Sequence, residues 1–190
     1  MTQLKNYTLA LLGFFIVLAT PQNVVGASKT TYSICHKLAQ ETQIAKSISW
    51  CVSSALPSQE ANLYGPQNLF QEGAWCEGVK GNGIGEAIEL SYEPFEGDTG
   101  PPAYDRLLIA NGYDKSTKTY LNNSRVKKIE IKTDSGRTWV RTLRDETGPQ
   151  EVLLGEEIRP RGILITILEI YPGQKYQDTC LSQLVADFGF

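Results

Sequence analysis

At 190 residues with a formal net charge of −3, the chain has the length of one domain plus a short extension, and its acidic balance argues against a phosphate backbone as partner. Only Lys5 is charged before Ala27, so cleavage there would take the net charge to −4. Lys127-Lys128 is a local basic pair, but neighbours on a strand face opposite sides, so it reads as solvated charge and no nucleic-acid partner is expected.

Residues 1–27 read as a signal peptide. Lys5 supplies the positive start, Thr8 to Ala19 is an apolar run of about a dozen residues, and the small residues Gly26, Ala27 and Ser28 offer cleavage points. The run is short for a membrane span, and an uncleaved anchor is the alternative. No later stretch is long and apolar enough to span a membrane, so the mature chain of about 163 residues is expected to be secreted or periplasmic. Its four cysteines, Cys35, Cys51, Cys76 and Cys180, then meet an oxidising compartment. An even count suggests two disulfides in one of three pairings, with buried free thiols as the alternative.

Residues 28–50 are expected to be a helical extension. Ile34, Leu38, Ala45 and Ile48 recur at helix-like spacing between Lys37, Glu41 and Lys46. A straight helix would hold Cys35 and Cys51 about 24 Å apart, beyond disulfide reach, so their pairing requires a short helix and a chain that folds back. Residues 51–190 form the main domain, entered through Ser53 to Pro57.

Residues 62–92, NLYGPQNLFQEGAWCEGVKGNGIGEAIELSY, hold seven glycines or prolines, a density that makes a long shaped loop rather than a helix. The loop ends in a strand whose Ile88, Leu90 and Tyr92 share one face. Strands are expected at Arg106–Ala110, Val126–Thr133, Arg137–Leu143, Gln150–Leu154 and Gly162–Ile170. The connections EGDTGPP, Asn111-Gly112, Asp134-Ser135-Gly136 and Asp145–Gly148 carry turn residues. Gly162–Ile170 is apolar on both faces until Glu169 and reads as a central strand buried on both sides. Short strands at regular intervals, without repeats or low-complexity segments, indicate an all-β sandwich or barrel.

Catalytic constellations are hard to build. The single histidine, His36, adjoins Cys35, but adjacent residues point apart, and one imidazole is a poor zinc set. Gly81 to Gly85 precedes a strand rather than opening a helix, which excludes a dinucleotide loop. Glu77 with Glu86 or Glu89 makes a carboxylate pair only on paper. The expectation is a protein without catalytic activity. Asn122-Asn123-Ser124 matches the glycosylation sequon.

The motifs YGPQNLF, AWCEGVKGNGIGE, Asn111-Gly112-Tyr113, Asn123 to Ile129, and Ile170-Tyr171-Pro172-Gly173 leading to Tyr176 to Ser182 resemble the discoidin-like NADase-type glycan-binding domain of bacterial secreted proteins. That domain takes its name from the non-catalytic N-terminal part of a streptococcal NAD glycohydrolase. The resemblance spans roughly Ser53 to the C-terminus. It implies a galactose-binding-like (discoidin-like) jelly-roll β-sandwich that binds a glycan or glycoconjugate, and no NAD hydrolysis. Cys76 and Cys180 both lie in the shared motifs, so the expected pairs are Cys76–Cys180 and Cys35–Cys51. Many galactose-binding-like domains hold calcium in an early loop, here Leu69-Phe70-Gln71-Glu72-Gly73. Gln71 replaces the expected aspartate and the loop is shortened, so no cofactor is expected, with calcium as the alternative. Ala87 stands where relatives carry a bulky aromatic.

A sugar site needs an aromatic surface beside amide, carboxylate or guanidinium groups. Those types meet in the loops carrying Trp75, Glu77, Asn111, Tyr113, Asn123 and Arg125, which are the expected glycan-binding residues. Trp75 has a core role as its alternative, and Asn123 and Arg125 have bracing of their own loop as theirs. Tyr64, Tyr113 and Tyr120 are expected on loops, where binding residues concentrate. The competing function is a structural or protein-interaction module on the same fold.

Overall fold

In the computed structural model, which describes residues 32, 34–38, 40–60 and 62–189, the stretch expected to be helical is a strand pair. Strands β1 (Ile34–Lys37) and β2 (Ser47–Val52) run antiparallel with Cys35 opposite Cys51. Two features outweigh the helical spacing. Ser47 to Val52 alternates with period two, burying Ile48, Trp50 and Val52. The Cys35–Cys51 disulfide also brings its Cα atoms to 4.0 Å, which a helix over both residues forbids. Since β2 hydrogen-bonds onto a main-domain strand, the expected separate extension is part of the sheet. The expected signal segment lies outside the described residues.

The remaining elements are β3 (Trp75–Cys76), β4 (Ala87–Glu93), β5 (Tyr104–Asn111), α1 (Thr117–Asn122), β6 (Ser124–Thr133), β7 (Thr138–Thr142), β8 (Pro149–Ile158), β9 (Gly162–Tyr171) and β10 (Thr179–Asp187). Hydrogen bonding follows β1-β2-β4-β9-β6-β10-β5-β8, with β3 added to β10 and β7 to β6. β6 and β10 meet in parallel, Thr179 opposite Ser124 and Cys180 opposite Arg125. There the path folds over, and its two halves face each other as a galactose-binding-like β-sandwich. Trp50 of β2 donates its indole N–H across the core to the Leu184 carbonyl of β10 at 2.8 Å. Tyr92 of β4 meets Tyr104 of β5 at 6.4 Å between ring centroids, and Phe188 packs on both.

The inward faces of β4 and β6 are those expected: Ile88, Leu90 and Tyr92, then Ile129, Ile131 and Thr133. The β6–β7 hairpin closes at Thr133 to Gly136, and β8 runs past Leu154 to Ile158. β9 is central, between β4 and β6, but it is not buried on both sides. Ile163, Ile165 and Ile167 are buried, whereas Leu168 is 36% exposed and Leu164 is half-buried. A sandwich covers only one face of each sheet. On the outer face Glu89 and Lys132 flank Leu164 in register, and their long stems can shade it.

Gly112, directly after β5, sits at φ +71°, and a Cβ there would lie 2.5 Å from Arg125 Cγ and 3.0 Å from the Tyr120 ring. Glycine lets the chain leave β5 over the buried Arg125, which sets the direction of Tyr113.

Candidate functional site

One end of the sandwich is assembled around the Cys76–Cys180 disulfide, formed between register partners of β3 and β10 with Cα atoms 4.1 Å apart. Two loops rest on it and a third closes beside it. The loop after β2 is held by Leu56 N–H to the Cys76 carbonyl at 2.9 Å and Cys76 N–H to the Tyr64 carbonyl at 3.2 Å. The turn after β5 is held by Gly112 N–H to the Cys180 carbonyl at 3.1 Å, and the Ser182 hydroxyl bonds both Gly112 O and Asp114 N–H. The loop before β10 is tied to the end of α1, where Tyr176 N–H donates to Asn122 O at 2.8 Å. Ser116 caps α1 in a reciprocal capping box with Thr119. Leu56, Tyr64 and Tyr113 pack on the cluster of Ala74 and the two cysteines, so the disulfide is the floor of this end.

Four of the six expected binding residues are structural. Trp75 is 0% exposed and donates to Ser54 O at 2.8 Å, so it is the core residue of its alternative and offers no stacking face. Glu77 is also 0% exposed, and its two oxygens accept from Val79 N–H at 2.8 Å and Thr179 N–H at 3.2 Å. Burial pushes its carboxyl above the usual range, partly offset by those two N–H groups. Asn111 is buried and bonds both polar groups of its amide to Val126 backbone. Arg125 forks onto Asp145 at 2.9 and 2.8 Å, and its third nitrogen donates to the Asn123 and Pro172 carbonyls at 3.1 Å. Every guanidinium nitrogen is engaged, which is the bracing alternative. Tyr120 also leaves the list, since it lies inside α1 with its hydroxyl on Asp145 at 2.9 Å. Polar groups buried at a sandwich end are spent on backbone or on a charged partner.

Of the remaining two, Tyr113 is half-buried and Asn123 is buried at 9% exposure, but both line a cleft. It measures about 480 Å³ and is also walled by Tyr64, Tyr176, Gln59, Asn62, Lys115, Ser116, Thr119 and Asp178. Tyr64 and Tyr113 meet edge to face at 6.1 Å on the disulfide floor. Tyr176 is 43% exposed and carries the Lys175 ammonium 4.8 Å from its centroid. Burial, then the neighbouring Tyr113, Asp178 and Tyr176, pushes the Tyr64 hydroxyl up, so it stays a neutral donor. Asn123 donates its amide to Thr119 O at 2.8 Å. A second cleft of about 700 Å³ continues past Asn62, Tyr113 and Lys115 to Leu63, Gln67, Gln71 and Glu72. Sequence reasoning passed over Tyr176, Asp178, Lys115 and Asn62. Tyr176 and Asp178 lie in a quoted motif, yet nothing in their own spacing brings them opposite Tyr64.

The early loop does not fit a calcium ion. The amide nitrogen of Asn68, a buried side chain, donates to Leu63 O at 2.5 Å and Ala74 O at 2.9 Å, closing the loop with a hydrogen-bond donor where a cation would need oxygens. The loop's carboxylate, Glu72, is exposed, and no cluster of three or more His, Cys, Asp or Glu is gathered among the described residues. Asn68→Ala is therefore expected to cost about 1–3 kcal/mol by stranding two carbonyls, while a chelator leaves the wild-type Tm unchanged. A chelator-induced fall in Tm would show a cation in the loop. Of the residues weighed for catalysis, Cys35 is in a disulfide and Glu86 accepts from Ser53 and Ser54. Glu77, Glu86 and Glu89 line neither cleft.

The family described as NAD glycohydrolase translocation F5/8 type C domain matches residues 41–187. No curated protein is significantly similar to the chain. Among solved structures, the translocation domain of the Streptococcus pyogenes NAD+-glycohydrolase is 24% identical, with 56% of this chain and 89% of that one covered, at a TM-score of 0.39. A family 32 carbohydrate-binding module from Clostridium perfringens, in complex with GalNAc-β-1,3-galactose, is 11% identical over 73% of this chain and 94% of that one, at a TM-score of 0.53, a likeness of fold. The mycobacterial arabinofuranosyltransferase AftD matches 72% of this chain at 14% identity and a TM-score of 0.47. The chain spans 11% of that enzyme's length.

Proposed function

The chain belongs to the NAD glycohydrolase translocation F5/8 type C domain family, and on that premise we propose that it is an exported, non-catalytic carbohydrate-binding module. The observation that carries this is the cleft in which Tyr64, Tyr113 and Tyr176 stand beside Asn62, Lys115, Asn123 and Asp178. A sugar presents one apolar face and hydroxyls in fixed directions, and such a cleft offers ring surface, donors and acceptors together. The glycan complex of the similarly folded C. perfringens module supports the same use of the fold. Export is supported by the signal-like N-terminus and by two disulfides, which persist in oxidising compartments.

A glycan array on the full chain tests the proposal. Binding in the micromolar to millimolar range is expected, about −8 to −4 kcal/mol. Tyr176→Ala, at an exposed ring, should weaken it about tenfold, roughly 1.4 kcal/mol, without changing Tm. A blank array would sink the proposal. The second reading is a structural or protein-interaction module on the same fold without sugar binding; the description of the matching family as a translocation domain speaks for it, and a blank array would leave it standing.

A further inference from the structure

We propose that the ligand is an uncharged oligosaccharide chain that lies along both clefts and crosses over Tyr113, rather than a single sugar held in one of them; this rests on the carbohydrate reading above. The two clefts, about 480 and 700 Å³, are each of ligand-site size and share Asn62, Tyr113 and Lys115 as a common border. A groove that continues past its aromatic residue has lining that a monosaccharide on that residue cannot reach. Tyr113 is built to be a fixed saddle. Its backbone is set by Gly112, Asp114 N–H is held by Ser182, and Asp114 Oδ2 accepts Gly148 N–H at 2.6 Å. Its ring packs on the disulfide cluster. A rigid aromatic midway along a polar groove suits a chain of linked rings, which can place one unit on it and reach hydrogen-bonding groups on either side.

Charge narrows the class. Asp178 on one side and Glu72 and Asp114 on the other outnumber Lys115 at the border and Lys175 on the Tyr176 ring. Sialylated, sulfated or uronic-acid chains would meet net repulsion. Beyond the border the second cleft presents Gln67, Gln71 and Glu72, which are amides and a carboxylate suited to hydroxyls.

The test is an array of neutral glycans printed with their own mono-, di- and trisaccharide fragments and with sialylated and sulfated counterparts, probed with the full chain and with Gln71→Ala plus Glu72→Ala. Both replaced side chains are exposed, so the fold is not at stake. The expected result is at least tenfold stronger binding of neutral chains of three or more units than of their monosaccharides. The double variant should reduce the long chains to the monosaccharide level and leave the monosaccharides unchanged. Binding independent of length, insensitivity of the long chains to the double variant, or preference for the acidic counterparts would overturn the proposal and leave the carbohydrate reading intact. A blank array would remove both.

Discussion

Removing the Cys76–Cys180 disulfide, as Cys76→Ala with Cys180→Ala, is expected to lower stability by about 4 kcal/mol and to abolish ligand binding. The two residues are 104 apart in sequence, and in the chain-entropy model a loop of about 100 residues contributes up to about 4.7 kcal/mol. For a domain of this size that is a fall in Tm on the order of 10 °C. Binding should go as well, because Leu56, Tyr64 and Tyr113 pack on this cluster and the backbones of two cleft loops bond to the cysteines themselves. Cys35 and Cys51 provide the control. They are 16 residues apart at the far end of the sheet order, so removing them should cost less, about 3 kcal/mol, and leave binding as it was. Calorimetric Tm and a binding titration on both double variants check this. Unchanged binding in the Cys76/Cys180 variant would mean that the disulfide does not set the cleft.

Arg125→Ala is expected to be a stability variant rather than a ligand-contact variant, with a loss of about 3 kcal/mol, the low end for breaking a buried ion pair. Arg125 is nearly buried, while Asp145 keeps about a third of its side chain in water, which holds the cost down. The truncation also strands the Asn123 and Pro172 carbonyls. Arg125→Lys should recover only part, since an ammonium cannot fork onto a carboxylate and also reach two carbonyls. The pair has a pH signature. The hydrogen bonds from Arg125 hold the Asp145 carboxyl below the usual range. Its contribution is therefore present above the unfolded-state carboxylate pKa and is lost as pH falls through the lowered folded value. The gap in stability between wild type and Arg125→Ala should narrow in strong acid, leaving the part that comes from the Asn123 and Pro172 carbonyls. A variant with wild-type Tm but no glycan binding would instead place Arg125 in the site.

Strand β4 and the β6–β7 hairpin were legible in the sequence because alternation and turn residues are local signals, and the motifs led to the sandwich and to the Cys76–Cys180 pair, which leaves Cys35 with Cys51. The N-terminal strands were not, because four apolar residues at helical spacing hid the stronger alternation of Ser47 to Val52. Trp50 went unnoticed for the same reason, although its indole bridges the two layers. The site was half legible. Of the expected positions Tyr113 and Asn123 line the cleft, whereas the loops after β2 and before β10 that wall it with them were not singled out for the site, and composition cannot tell a polar side chain that faces solvent from one that is spent on bracing. Asn111 and Arg125 are of the latter kind. Tyr176 and Asp178 join the cleft only because the turn before β10 is tied to α1, a long-range fact with no local trace.

Sugar is expected to bind at this end of the sandwich, in the Tyr64–Tyr113–Tyr176 cleft. The most direct measurement is a backbone amide map by NMR while the full chain is titrated with the strongest neutral glycan from the array. Shifts should concentrate at Tyr64, Tyr113, Lys115, Asn123, Tyr176 and Asp178 and saturate with one affinity. Shifts confined to the outer face of β9 and β7, around Leu164 and Val140, or no shift with any glycan, would contradict it.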